Sequence, residues 1–144
     1  MFARILRRDA ELITVVGGGP SGLLCAKEAA FNGKSVIVFE EHEKIGEPVR
    51  CGGLVSKKGL DDLGVDYEEA ILNECIGARI FSPKGKMIEV SKERTQAYVL
   101  DRARFDQILA EEAEAEGAKI VTGERITKKT GEILVGADGA NSLI

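Results

Sequence analysis

The chain has 144 residues, 44 % apolar and 31 % charged, with 17 glycines and a net charge of −4. That length suits one domain of ordinary size with a core of its own. The acidic balance and the scarcity of aromatics exclude the basic surfaces and stacking platforms that nucleic acids need, and no run of about 18 apolar residues is present to span a bilayer as a helix.

Residues 1–10, MFARILRRDA, carry three arginines among spaced apolar residues. They read as an N-terminal extension: a short helical turn, an expression-related segment or a weak membrane-surface contact, in that order. Leu12–Val16 is an apolar run ending in glycines and predicts a strand. Pro20–Asn32 predicts a helix, stopped by Asn32-Gly33. Ser35–Phe39 is a continuous apolar run, as expected of a strand covered on both faces. Strand, helix and strand within about 30 residues make one βαβ unit.

Residues 41–100 read as an insertion holding a Cys-Gly loop and a hairpin. Ser56 predicts the N-cap of a short helix ending near Gly64. Tyr67–Asn73 reads as another helical turn. Ala78–Phe81 and Met87–Val90 flank SPKG and predict a β-hairpin. Ala97–Leu100 is a further short strand. Asp101 caps a helix from Arg102 to Glu116, with Phe105, Ile108, Leu109 and Ala113 on one face, and Gly117 ends it. Lys119–Thr122 and Ile133–Val135 predict two more strands, the second leading into GADGANS. The fold class is α/β: one Rossmann-like domain over residues 1–144, with a parallel sheet and a small β-hairpin insertion.

The strongest motif is Gly17-x-Gly19-x-x-Gly22, placed between a strand and a helix. Gly17 permits the tight turn, Gly19 lets a pyrophosphate approach the backbone, and Gly22 lets the helix pack close to the strand. The helix N-terminus offers N–H groups and a positive dipole end to phosphates. Glu40 ends the next strand, 18 residues after Gly22. An acid there accepts ribose hydroxyls and repels a 2′-phosphate, which favours FAD or NAD over NADP. The cysteines Cys25, Cys51 and Cys75 lie far apart and read as thiols in a reducing cytosol. His42, flanked by acids, reads as a solvated loop histidine, and no metal site is expected.

GGGPSG, Glu40, VRCGGLVS, VLDRARFDQILAEEAEAEGAKI and VGADGANS together resemble the geranylgeranyl reductase family, flavoproteins of the aromatic-hydroxylase-like group. The resemblance covers Leu12 to Ser142 and implies FAD as the cofactor. By that likeness Ser21 contacts the pyrophosphate region, Glu40 holds the adenosine ribose, and Cys51, Gly52 and Leu54 line the flavin side. Arg102 meets the phosphates or ribityl chain, Ile126 sits near the adenine through its backbone, and Asp138 orders the pyrophosphate and ribityl surroundings. Bland readings stand beside these: Cys51 as a small buried hydrophobe, Arg102 as half of a helix-start pair with Asp101, Asp138 as the residue shaping the GADG turn.

Family members carry a β-meander between the last two strands, and a second Gly-Asp motif and a substrate domain after GADGANS. Here only GERITKKTGE, residues 123–132, links those strands. If they flank the first strand, the link crosses about 15 Å of sheet; otherwise ERIT and EILV form a hairpin about KKTG. The expectation is therefore a shortened FAD-binding module without the full catalytic apparatus and with no catalytic residue assigned. The rival readings are an active FAD-dependent oxidoreductase reducing prenyl double bonds of lipid precursors, in the cytosol or peripherally at the membrane, and an NAD-binding dehydrogenase fragment. Self-association through exposed sheet edges and apolar surface is a further expectation.

Overall fold

In chain order the computed structural model places β1 (Leu12–Val16), α1 (Pro20–Phe31), β2 (Ser35–Phe39), β3 (Leu54–Ser56), α2 (Lys57–Asp61), a 3-10 turn (Glu68–Ala70), β4 (Ile71–Cys75), β5 (Gly77–Phe81), β6 (Met87–Ser91), β7 (Ala97–Leu100), α3 (Arg102–Ala115), β8 (Lys119–Val121), β9 (Ile133–Gly136) and a 3-10 turn (Gly139–Asn141). Residues 11–128 and 132–142 are described. The expected N-terminal extension, residues 1–10, and the Lys129–Gly131 part of KKTG lie outside them. Contacts divide the chain into a first unit, residues 1–49 and 106–144, and a second, residues 50–105.

The first unit is a Rossmann-like α/β layer. Its four strands are parallel, in the order β8-β2-β1-β9. Val16 pairs with Phe39 and with Gly136, and Phe39 pairs with Val121, so the four carboxyl ends lie level. Val15, Val36 and Val38 point to one face and form a core with Ala26 and Ala30 of α1, Ala113 of α3 and Ala118. Small alanines let both helices approach the sheet closely, and Lys27 of α1 bridges to Glu112 of α3 at 2.8 Å. Each fully buried valine or leucine in such a core stabilises it by about 1.5–3 kcal/mol.

The opposite face departs from expectation. Thr14 and Val16 are buried there, but Ser35, Ile37 and Phe39 are only half-buried. A continuous apolar run records what a strand can tolerate on each face, and β2 has full cover on one face alone.

α1 ends as expected, with Gly33 at φ +75° directly after Asn32. In α3 the expected apolar face of Phe105, Ile108, Leu109 and Ala113 is buried, and Asp101 Oδ1 accepts the N–H groups of Ala103 and Arg104. The β8–β9 link follows the opposite-sides geometry. β9 pairs in parallel with β1, and no strand occurs among the described residues 122–128, so the ERIT–EILV hairpin does not form.

In the second unit β3, β7 and β4 form an antiparallel sheet, and β5 and β6 a hairpin. The SPKG turn closes through Gly85 N–H to the Ser82 carbonyl at 2.9 Å. Ser56 caps α2 through its Oγ, which accepts from Gly59 N–H. The helical turn expected over Tyr67–Asn73 is only a 3-10 turn at Glu68–Ala70. From Ile71 the chain is strand, because pairing with β7 outweighs the weak local preference of ILNEC.

Candidate functional site

The level strand ends gather four loops at one edge of the parallel sheet, where ligands of such folds bind. In the loop after β1, Gly17 has φ +108°, and a Cβ there would stand 2.3 Å from the Ala137 carbonyl oxygen. A Cβ on Gly22 would meet the Gly17 carbonyl oxygen at 2.0 Å. These two glycines are required by the fold. Gly19 differs: nothing lies within 4 Å of where its Cβ would be. Gly19 is also the N-cap of α1 and Pro20 its first residue, and no side chain caps the turn. The open space and the uncapped first-turn N–H groups suit a pyrophosphate. Ser21 lies exposed in that first turn.

Glu40 leaves β2 toward the glycine turn. Its Oε2 accepts Gly18 N–H at 2.7 Å, and its Oε1 accepts His42 N–H at 3.0 Å and the His42 ring Nδ1 at 2.5 Å. Burial alone would push this carboxyl up. The backbone N–H groups of His42 and Gly18, with the His42 ring, outweigh burial and hold it below the usual carboxylate value. An ionised acceptor therefore stands beside the glycine turn, ready for a hydroxyl donor.

His42 is thus not the solvated loop histidine that its flanking acids suggest. Its side chain is 35 % exposed and engaged with Glu40. The loop after β8 fastens this region from the other side. Gly123 N–H donates to the His42 carbonyl and Glu124 N–H to the Glu40 carbonyl, both at 2.9 Å, and Arg125 Nε lies 3.3 Å from Glu41 Oε2. Ile126 follows, half-buried. On the far side of β1, Ala137 N–H donates to the Val16 carbonyl at 2.7 Å, which sets Asp138, with a buried Oδ1, next to the glycine turn.

The first unit therefore brings together Gly17, Gly19, Gly22, Glu40 and Asp138 at the glycine turn, and Ser21 and Ile126 belong to the same unit. Cys51, Gly52, Leu54 and Arg102 belong to the second unit. Cys51 and Gly52 are exposed and Leu54 is 66 % exposed, so the reading of Cys51 as a buried hydrophobe does not hold. Arg102 opens α3. No cluster of metal-ligating side chains occurs among the described residues, and no described helix is long and apolar enough to cross a membrane.

Sequence reasoning missed three positions. Gly18 carries the N–H that meets Glu40, and a Cβ there would lie 2.6 Å from Ile45 Cδ1. His42 is the second. Gly53, at φ +74°, would place a Cβ 2.2 Å from the Leu100 carbonyl oxygen. The triple glycine and the CGG run held signals for two of them; nothing in the sequence marked His42.

A family model described as an NAD(P)-binding Rossmann-like domain matches residues 15–85. A digeranylgeranylglycerophospholipid reductase of Methanocaldococcus jannaschii is 32 % identical over 158 positions, which cover 94 % of this chain and 40 % of that protein. An uncharacterised protein in the nifH2 5′ region of Methanosarcina barkeri is 33 % identical, covering 92 % of this chain and 84 % of the relative.

The chain belongs to the geranylgeranyl reductase family. Among solved structures, a geranylgeranyl bacteriochlorophyll reductase-like protein from Thermoplasma acidophilum superposes with a TM-score of 0.74 at 37 % identity, over 79 % of this chain and 30 % of that one. The chain spans 30–40 % of the length of the first curated reductases it matches. The alignment to the M. jannaschii reductase has 158 positions but uses 94 % of 144 residues, so about 23 positions of that reductase have no counterpart here.

Proposed function

We propose that this chain binds FAD as the dinucleotide-binding part of a geranylgeranyl-reductase-like flavoprotein. The observation that carries the reading is the pairing of an open Gly19 with an ionised Glu40 at one edge of the sheet. The first accepts a pyrophosphate against uncapped helix N–H groups, and the second accepts the hydroxyls of an adenosine ribose. Ser21 borders the pyrophosphate, the Ile126 backbone meets the adenine, and Asp138 orders the turn opposite. In the second unit the family resemblance assigns Arg102 to the phosphates or ribityl chain and Cys51, Gly52 and Leu54 to the flavin.

When bound, FAD supplies the hydride chemistry, and the protein's share is to hold and orient it. The activity proposed for the family context is reduction of prenyl double bonds in lipid precursors, at the membrane surface or in the cytosol. This chain contributes cofactor binding to that activity and no assigned catalytic residue.

NAD is the rival ligand, favoured by the description of the matching family model. Titration of the purified chain with FAD, followed by flavin fluorescence polarisation with ADP, NAD and FMN as competitors, and a direct calorimetric titration with NAD separate the two. Saturable FAD binding that ADP displaces and FMN does not is the expected result. Binding of NAD with no affinity for FAD would replace the flavin reading, and no binding of either at high micromolar concentration would overturn both.

A further inference from the structure

We propose that His42 is a positioning residue for the ribose subsite: its ring fixes the rotation of the Glu40 carboxylate and so sets how strongly the site prefers a ligand with free ribose hydroxyls. The proposal rests on the reading of Glu40 as the ribose acceptor.

The two oxygens of a carboxylate are chemically equivalent, and only their partners make them differ. Here Oε1 takes two donors from one residue, the backbone N–H and the ring Nδ1 of His42, while Oε2 takes the Gly18 N–H alone. Because Glu40 is held ionised, the proton in the ring contact belongs to Nδ1. A carboxylate offers about four lone-pair positions. Three are engaged, and the remaining one lies on Oε2, the oxygen turned to the glycine turn. A ribose hydroxyl arriving there meets an acceptor already aimed at it.

Without the ring, Oε1 keeps only one donor and the carboxylate is able to turn, so part of the ligand's binding energy goes into fixing it. The backbone of His42 does not depend on its ring, since Gly123 N–H holds the carbonyl. The ring's other nitrogen, Nε2, stands 3.9 Å from Glu41 Oε1, and Arg125 pairs with that same side chain.

The experiment uses ADP and 2′,3′-dideoxy-ADP as probes, titrated calorimetrically into the full chain and its variants. His42→Ala is expected to weaken ADP about five- to tenfold and to leave the dideoxy compound unchanged. His42→Phe, which keeps the ring but has no donor, should match it. His42→Asn should retain ADP affinity within about twofold, because its amide nitrogen occupies the place of Nδ1. In a Glu40→Ala background, His42→Ala should have no further effect.

Equal loss of both probes in His42→Ala and His42→Phe would reduce the ring to a structural role and overturn the proposal. So would an unchanged ADP affinity in those variants while Glu40→Ala weakens it. If the unaltered chain fails to distinguish ADP from its dideoxy analogue, the ribose reading of Glu40 fails first and takes this inference with it.

Discussion

Gly17 and Ala137 occupy one space: the carbonyl oxygen of Ala137 lies 2.3 Å from where a Cβ on Gly17 would stand. The loops after β1 and β9 are thereby locked together at the edge of the sheet. Gly19, two residues on, has no such neighbour and an ordinary φ of −83°. The glycines of one motif thus divide into those required by the fold and one left open for a ligand.

That division is measurable. Gly17→Ala places a side chain at positive φ and against a backbone oxygen, and is expected to cost about 3 kcal/mol in urea unfolding. Gly19→Ala should alter stability by about 1 kcal/mol or less yet weaken FAD about tenfold or more. Equal destabilisation by both would contradict the assignment.

Glu40 gives a pH dependence with a definite sign. Its carboxyl lies below its ordinary value of 4.5 in the folded chain, so near that pH the unfolded chain binds more protons than the folded one. The stability contributed by Glu40 is therefore complete above about pH 4.5 and is lost as pH falls through the folded value. Urea midpoints between pH 6 and pH 3 should fall less steeply in Glu40→Gln than in the unaltered chain. Parallel curves would show that the Gly18 and His42 contacts do not favour the ionised form.

Much of the first unit was legible because its signals are local. Apolar runs gave β1 and β2, Asn32-Gly33 gave the end of α1, and the glycine spacing gave the turn. The ring contact of His42 was not legible, because it depends on the direction in which Glu40 leaves β2, which no spacing encodes. Likewise Leu54–Ser56 and Ile71–Cys75 carry weak strand patterns and become β3 and β4 only by pairing with β7. Gly53 was hidden for a related reason: the approach of Leu100 that forbids a side chain comes from a residue 47 positions away in the sequence.

The β5–β6 hairpin is where association is expected. Ile80 faces Ile88 across the ladder, beside Ala78 and Val90, and the two isoleucines are 59 % and 65 % exposed. An apolar ladder of this kind favours self-association. The double variant Ile80→Thr/Ile88→Thr keeps β-branched side chains and should change stability by about 1 kcal/mol or less. Sedimentation velocity over a concentration series should show association in the unaltered chain and less in the variant; identical profiles would exclude the hairpin.

The most direct test of the nucleotide site is a backbone amide NMR titration of the full chain with FAD. Shift changes are expected to concentrate at Gly18, Gly19, Ser21 and Gly22, at Glu40 and His42, and at Ala137–Asp138. Changes concentrated instead in the second unit's cleft around Lys57, Asp61, Tyr67 and Tyr98, or no saturable change at all, would contradict a dinucleotide site at the glycine turn.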